Sequence, residues 1–474
     1  MKFDFHILII GAGSAGLVVA SGAAGLGAKV ALVESEKMGG DCLNWGCVPS
    51  KSFLKSAHVA DYISKGDIFG IDATLNTTDL NKVMKRVSSV IKSIEPHDSI
   101  ERYESLGVTV IKGYGKLQDP HHVEIDGKVY SSKIIVLATG SSTSVPHIKG
   151  LNDVAYLTNK TVFDLEKLPE RLVILGAGPI ACELGQGFSH LGSKVTMINR
   201  SAQLFKKDEP EVSPLMLQRF ILDGINMELG ARIVEIRENN SREIEVDIEK
   251  DGNLTTIVAD KLIVALGREP NTKNIGLEKV GIRLSESGHI ATNEKLQTTI
   301  PNVYACGDVA GPFAFTHMAS YQAGIVIQNA IFPIKKKVNY RAVSWVTYTK
   351  PEVAHVGYIE NQLIQEEKKY KKYMAPIIEN DRAKAESDAQ GFLKILVDAR
   401  GVVVGATLVG EKAGEMIGLA NMAIVRKMKV TSFISMIFPY PTELEIYKTI
   451  ALEAMKEGFK PWQKNIVKKL FLRD

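Results

Sequence analysis

Short apolar runs bounded by turn residues recur through the first two thirds of the chain: Phe5–Ile10, Lys29–Val33, Ile134–Leu137, Leu172–Leu175, Lys194–Ile198, Lys261–Leu266 and Val303–Cys306. Runs of this kind predict strands buried on both faces of a largely parallel sheet. Small-residue segments after Gly13 and after Gly178 predict closely packed helices, and further helices are expected from Cys47 to about Leu106. Val108–Leu117 and His122–Val129 read as a hairpin pair of strands, with His121 and His122 in its turn. From about Val338 the pattern changes to alternating apolar strands at Ser344–Thr349, Phe392–Asp398 and Val402–Val409, followed by helices from Gly414.

Two of the strand–helix joints carry glycine signatures. Gly11-Ala12-Gly13-Ser14-Ala15-Gly16 follows the first strand, and the second strand ends at Glu34. Gly11 makes the turn, Gly13 admits a pyrophosphate against the backbone, Gly16 lets helix and strand pack, and Glu34 stands where a ribose is held. Gly176-Ala177-Gly178-Pro179-Ile180-Ala181 repeats the signature in a helix that also contains Cys182, Glu183 and Gly185. At the position matching Glu34 this second unit has Asn199, then Arg200. Arginine pairs with a ribose 2′-phosphate that an acid would repel, so the unit reads as selecting NADPH over NADH. The competing reading leaves Arg200 in solvent. The fold class expected is α/β, with two Rossmann-like dinucleotide-binding domains and a C-terminal α+β domain.

Between the first signature and the next helices lies Gly39-Gly40-Asp41-Cys42-Leu43-Asn44-Trp45-Gly46-Cys47-Val48-Pro49-Ser50-Lys51. On a regular helix Cys42 and Cys47 would stand ~8.6 Å apart at Cα, beyond the ~7 Å a disulfide tolerates. Pairing therefore demands a bend, and Gly39, Gly40 and Gly46 supply the freedom for one. A redox pair, a structural disulfide and two buried thiols all remain open on these residues. Cys182 and Cys306 read as small core residues, and Asp308 after the Val303–Cys306 run as a helix N-cap or a hydroxyl-binding acid.

Composition narrows the field. Four cysteines in 474 residues suit a reducing compartment, and a cytoplasmic protein is expected. A net charge of +4 excludes a broad nucleic-acid surface, and Lys335-Lys336-Lys337 reads as a solvated loop. No apolar run is long enough to span a membrane. The tail with Lys460, Lys464, Lys468, Lys469 and Arg473 has apolar residues between its charges and reads as an amphipathic helix.

Two nucleotide units, a CxxxxC after the first and Cys306-Gly307-Asp308 after the second resemble the flavin-dependent pyridine nucleotide–disulfide oxidoreductases. Mercuric reductase, dihydrolipoamide dehydrogenase and glutathione reductase belong to that family. The resemblance implies FAD at Gly11, Gly13, Ser14, Ala15, Gly16, Glu34, Gly40, Asp41, Thr139, Gly140, Asp308 and His317. It implies NADPH at Gly176, Gly178, Ile180, Ala181, Asn199, Arg200 and Gly267. It places Cys47 against the flavin and Cys42 toward the acceptor, with Lys51 and Glu183 as an ion pair beside the reactive edge of the flavin. The domains expected are 1–148 and 271–337 for FAD, 149–270 for the pyridine nucleotide, and 338–474 for dimerisation, giving a homodimer.

The sequence departs from thiol-reducing members at Phe438-Pro439-Tyr440-Pro441-Thr442-Glu443, where they carry His-Pro. Tyr440 occupies the histidine position, and the last histidine of the chain is His355. Mercuric reductases have a Phe-Pro-Tyr run, and Arg200 through Phe205-Lys206 also matches them; their C-terminal cysteine pair has no counterpart after Cys306. The function expected is electron transfer from NADPH through FAD and Cys42–Cys47 to a soft metal ion, with the two sulfurs as substrate-metal ligands and no structural metal. The alternatives are a disulfide or dihydrolipoamide-type activity with Tyr440 in the catalytic place, quinone or oxygen reduction from flavin, and a flavin-binding module without turnover.

Overall fold

The computed structural model describes residues 2–472, so Arg473 of the basic tail lies outside the described residues. The chain divides into two compact units, one of residues 1–63, 74–200 and 230–339, the other of residues 64–73, 201–229 and 340–474.

In the first unit, β1 (Phe5–Ile10) leads through α1 (Ser14–Gly25) to β2 (Val30–Glu34), followed by the short helix α2 (Gly40–Asn44) and the long α3 (Cys47–Ser64). Four further strands complete one sheet: β3 (Val108–Lys112), β4 (Gly115–Asp119), β5 (His122–Ile125) and β6 (Lys128–Leu137). They run in the order β3-β2-β1-β6-β5-β4, and Val303–Ala305 pairs beside β6. The strands β3, β2, β1, β6 and Val303–Ala305 are parallel, and β1 and β2 are almost wholly buried, as continuous apolar runs require.

The hairpin expected from Val108–Leu117 and His122–Val129 is different in the structure. Gly113, at φ +144°, breaks the first run, and a Cβ there would lie 2.4 Å from Asp126 Oδ2. Val108–Lys112 goes to the edge of the parallel sheet beside β2, and the hairpin is β4 with β5. His121 does lie in the tight turn, whose N–H groups the Asp119 carboxylate accepts.

β7 (Ser141–Thr143) pairs antiparallel with Arg268–Pro270 in a two-stranded ribbon of its own. The second signature joins β8 (Arg171–Leu175), the helix Pro179–His190 and β9 (Lys194–Asn199) to the strand Lys261–Val264, with β9-β8-(261–264) parallel. Arg232–Glu238, Ile244–Lys250 and Asn253–Ala259 form an antiparallel meander that the apolar-run reading did not anticipate. Its middle strand buries Ile244, Val246 and Ile248 and turns out the acids between them.

The second unit is built on a five-stranded antiparallel sheet in the order 344–347, 352–357, 403–410, 392–398, 370–376. Helices Ala413–Val425 and Ile446–Gly458 pack their apolar sides on it around Ile395, Leu408, Ile417, Phe433 and Tyr447. The alternation expected for Phe392–Asp398 is overturned: six consecutive residues are buried. The face opposite the helices is covered as well, because Lys394 Nζ is enclosed by Glu209, Glu211 and Glu360 at 2.7–2.9 Å.

Candidate active site

The cysteine pair is made by a break between two helices. Gly39 and Gly40 both take positive φ (+85° and +56°), and a Cβ on Gly40 would sit 2.7 Å from Gly13 Cα. This close backbone approach sets α2 against the first turn of α1. The α2 helix stops at Trp45 (φ −141°), and α3 starts at Cys47. A Cβ on the intervening Gly46 would lie 2.9 Å from the Asp41 carbonyl oxygen, so the bend fits only glycine without a shift. The bend returns Cys47 to Cys42. Both are free thiols, and the Cys42 S–H donates to the Cys47 sulfur.

That hydrogen bond separates the two thiols. The Cys47 pKa falls to about 6, first because Cys42 donates to its thiolate, against the opposing effect of burial, and further through Thr316 and the positive Lys51. Cys42 is pushed far upward by the same hydrogen bond, by burial and by the Cys47 charge. At neutral pH the reduced pair holds one thiolate, on Cys47, and one proton, on Cys42.

Around Cys47 the structure gathers groups from distant parts of the sequence. Lys51, one turn along α3, reaches Glu183 Oε2 of the helix Pro179–His190 at 2.8 Å. Thr316, the first residue of the helix Thr316–Ile331, places Oγ1 3.5 Å from Cys47 Sγ. Nothing in the sequence pattern singled out Thr316, since a threonine that opens a helix reads as ordinary capping chemistry.

Three glycines of the two signatures stand at close backbone approaches. Gly11 has φ +108°, and a Cβ there would come 2.3 Å from the Ala138 oxygen; Gly176 has φ +117° with the Ala265 oxygen at 2.4 Å. A Cβ on Gly16 would be 1.8 Å from the Gly11 oxygen. Gly13 and Gly178 are the N-caps of α1 and of the second-signature helix, and neither helix has a side-chain cap. The first-turn N–H groups, including those of Ser14, Ala15 and Gly16 in one and Ile180 and Ala181 in the other, therefore present donors for a phosphate. Glu34 is buried, and its carboxylate accepts from Ala12 N at 2.8 Å and Glu36 N at 2.6 Å. A carboxylate has about four acceptor positions, so hydroxyl donors can still be accommodated. Asn199 is half-buried, and Arg200 is exposed just beyond the end of β9. Gly267 (φ +131°) has open space where a Cβ would stand.

A polar chain links the remaining residues. Asp308 accepts from Ser141 Oγ at 2.5 Å, and Ser141 Oγ accepts from Arg268 Nε at 2.8 Å. Arg268 also lies 3.3 Å from Asp41, whose other oxygen accepts from Asn159 at 2.9 Å. Asn271 braces the Thr139-Gly140 turn by donating to the Thr139 carbonyl while Thr139 Oγ1 donates back to its own. His317 is exposed and stacks on Phe315 at 5.3 Å. Ser141, Asn159 and Arg268 were not among the residues the sequence nominated; Arg268 was visible only as part of the Gly267–Asn271 turn. Asp308 caps no helix here, since the next one starts at Thr316.

Tyr440 belongs to the second unit. It is largely exposed, its hydroxyl donates to Asp381 Oδ2 at 3.2 Å, and it borders a cavity of about 160 Å³ with Asn380, Asp381 and Glu445. The Asp381 charge raises its pKa above the ordinary phenol value. His355 is fully buried between Thr407 and the Gly357 carbonyl, and burial lowers its pKa to about 4. Cys182 and Cys306 are buried core residues.

The family description "Pyridine nucleotide-disulphide oxidoreductase" matches residues 5–323, and its dimerisation domain matches residues 343–451. The chain belongs to this family. Mercuric reductase of Staphylococcus aureus is 34% identical over 96% of the chain and 83% of that protein. Dihydrolipoyl dehydrogenase of Chlamydia muridarum is 34% identical over 96% of the chain and 98% of that protein. Among solved structures, the HOCl-induced flavoprotein disulfide reductase RclA from Escherichia coli superposes with a TM-score of 0.84, at 25% identity, over 94% of this chain and 99% of that one. Members are FAD-dependent and use a pyridine nucleotide. The uncapped helix starts, the Gly13–Gly40 approach and the spare acceptor capacity of Glu34 fit such a cofactor pair. No described helix is long and apolar enough to cross a membrane.

Proposed function

We propose that this chain is an NADPH-dependent reductase of soft metal ions that works through Cys42 and Cys47. FAD, held by Gly11, Gly13, Ser14, Ala15, Gly16, Glu34, Gly40, Asp41, Thr139, Gly140, Asp308 and His317, supplies the two-electron relay between the pyridine nucleotide and the sulfurs. The nucleotide is held at Gly176, Gly178, Ile180, Ala181, Asn199, Arg200 and Gly267, with Arg200 on the 2′-phosphate. Lys51, oriented by Glu183, supplies positive charge next to Cys47. Domains of 1–148, 149–270, 271–337 and 338–474 and a homodimeric assembly accompany this reading, and the dimerisation-domain match supports the latter.

The observation that carries the reading is the proton inventory. A leaving thiol needs an acid with a pKa near the working pH. His355, the last histidine of the chain, is sealed in the core with its pKa depressed, and the Tyr440 phenol is shifted the wrong way. A soft divalent ion needs no such donor. It is bound as it displaces the Cys42 proton to water and Cys42 joins the Cys47 thiolate as a second sulfur ligand. Oxidation of two thiolates to a disulfide releases two electrons, which balance reduction of the ion to the neutral atom. The dihydrolipoyl dehydrogenase relatives support a second reading, disulfide reduction with Tyr440 in the acid–base place.

NADPH oxidation by the purified flavoprotein, measured against Hg(II), Cu(II), lipoamide, glutathione disulfide and quinones, separates these readings. Hg(II) is expected to turn over fastest, and Cys42→Ser is expected to abolish that turnover while flavin bleaching by NADPH persists. Faster turnover with lipoamide moves the assignment to the second reading; unchanged turnover in Cys42→Ser removes the pair from the reaction.

A further inference from the structure

Beyond the segment matched to the dimerisation domain, which ends at residue 451, the chain continues into a helix at Pro461–Phe471. Pro461 opens it, and the Gln463 side chain accepts the Lys460 N–H at 2.9 Å. None of its residues is buried. Trp462, Ile466 and Leu470 recur every fourth residue and so share one side, with Val467 flanking them. Trp462 is 56% exposed and Leu470 65% exposed, and Phe459, just before the helix, adds another exposed ring. Lys464 and Lys468 stand opposite this side, Lys469 borders it, and Gly458 to Leu472 contains no acidic residue.

We propose that the helix Pro461–Phe471 is a membrane-surface anchor that lays its Trp462–Ile466–Leu470 side into an anionic bilayer. An indole with aliphatic neighbours suits the boundary between headgroups and acyl chains. Lysine stems can follow the apolar side while their ammonium groups meet lipid phosphates. Eleven residues cover about 16 Å of helix axis, well short of the ~30 Å hydrocarbon core. The helix therefore lies in the surface and does not span. Charge also selects this occupant over a second copy of the chain, because two such helices would bring like charges together with no acid to pair them.

The test is sedimentation of the full-length flavoprotein with vesicles of equal parts phosphatidylglycerol and phosphatidylcholine. Binding is expected, falling steeply with salt and absent on phosphatidylcholine alone. Lys464→Ala with Lys468→Ala is expected to weaken it roughly 30-fold. Trp462→Glu with Leu470→Glu is expected to abolish it. Both double variants should oxidise NADPH at the parent rate, since they touch none of the dinucleotide or cysteine residues. Protein left in the supernatant with anionic vesicles overturns the proposal. So does a Trp462→Glu, Leu470→Glu variant that still sediments but changes oligomeric state, which would make this side an interface between copies.

Discussion

The Cys47 sulfur opens α3, and the groups gathered around it favour its charged form. Its pKa of about 6 depends first on a neighbour five residues back and then on a hydroxyl, Thr316 Oγ1, that is remote in sequence. In the reduced enzyme, the rate of Cys47 alkylation by iodoacetamide is therefore expected to rise with a midpoint near pH 6, against ~8.5 for a free thiol. Thr316→Val should move that midpoint upward by about one pH unit through loss of one hydrogen bond to a charged acceptor. A midpoint near the free-thiol value in the parent enzyme contradicts the assignment of the thiolate to Cys47. The two cysteines stood out by their spacing in a chain with only four, while the Lys51–Glu183 pair was implied only by the family resemblance. Thr316, Ser141 and Asn159 were not, since a threonine or asparagine has many ordinary roles and only the fold shows which one it fills.

Among the elements, the strand Phe392–Asp398 departs most from its sequence pattern. Lys394 is almost fully buried in a ring of Glu209, Glu211 and Glu360, and Asp208, next to Glu209 in sequence, accepts from Trp345 Nε1 at 2.7 Å. A lysine inside an alternating strand marks the wet face; here the segment containing Glu209 and Glu211 covers that face and brings the counter-charges. Burial raises the Asp208 pKa to about 6, so the folded unit binds a proton between that value and the ordinary carboxylate range that the unfolded chain releases. Stability then falls as pH rises through this window. Glu360 has the opposite sign: despite burial, its hydrogen bond from Lys394 holds its pKa at about 2, and that contribution is lost only on acidification toward 2. Thermal unfolding at pH 5 and pH 7 should accordingly show Asp208→Asn stabilised at neutral pH by about 2–3 kcal/mol with the window flattened. Lys394→Met should lose about 3–5 kcal/mol at neutral pH. A parent protein equally stable at both pH values, with Asp208→Asn unchanged from it, contradicts the protonation of Asp208. The meander at residues 232–259 carried a readable signal in Asp251-Gly252 between alternating strands, both residues at positive φ. The apolar-run reading passed over it because its strands are acidic on their outer faces.

Across the whole molecule, the proposed function rests on two dinucleotide signatures and one sulfur pair, and it makes Arg200 the residue that selects the electron source. Its exposure at the end of β9 leaves the guanidinium available to a phosphate. Arg200→Glu is expected to lower kcat/KM for NADPH by about tenfold or more and to shift the NADPH/NADH preference toward NADH, since a charge-assisted contact becomes a repulsion. Steady-state kinetics with both nucleotides checks this, and an unchanged ratio removes Arg200 from the site. The sequence by itself determined the order of the two strand–glycine–helix units, their glycine turns and the cysteine pair between them, because local backbone demands and rare residue types write themselves into single positions. Only the tertiary structure decided which thiol holds the charge, which hydroxyl steadies it and how a lysine comes to lie inside a sheet. Those outcomes depend on distances between residues far apart in the chain, and such distances exist only once the chain has packed.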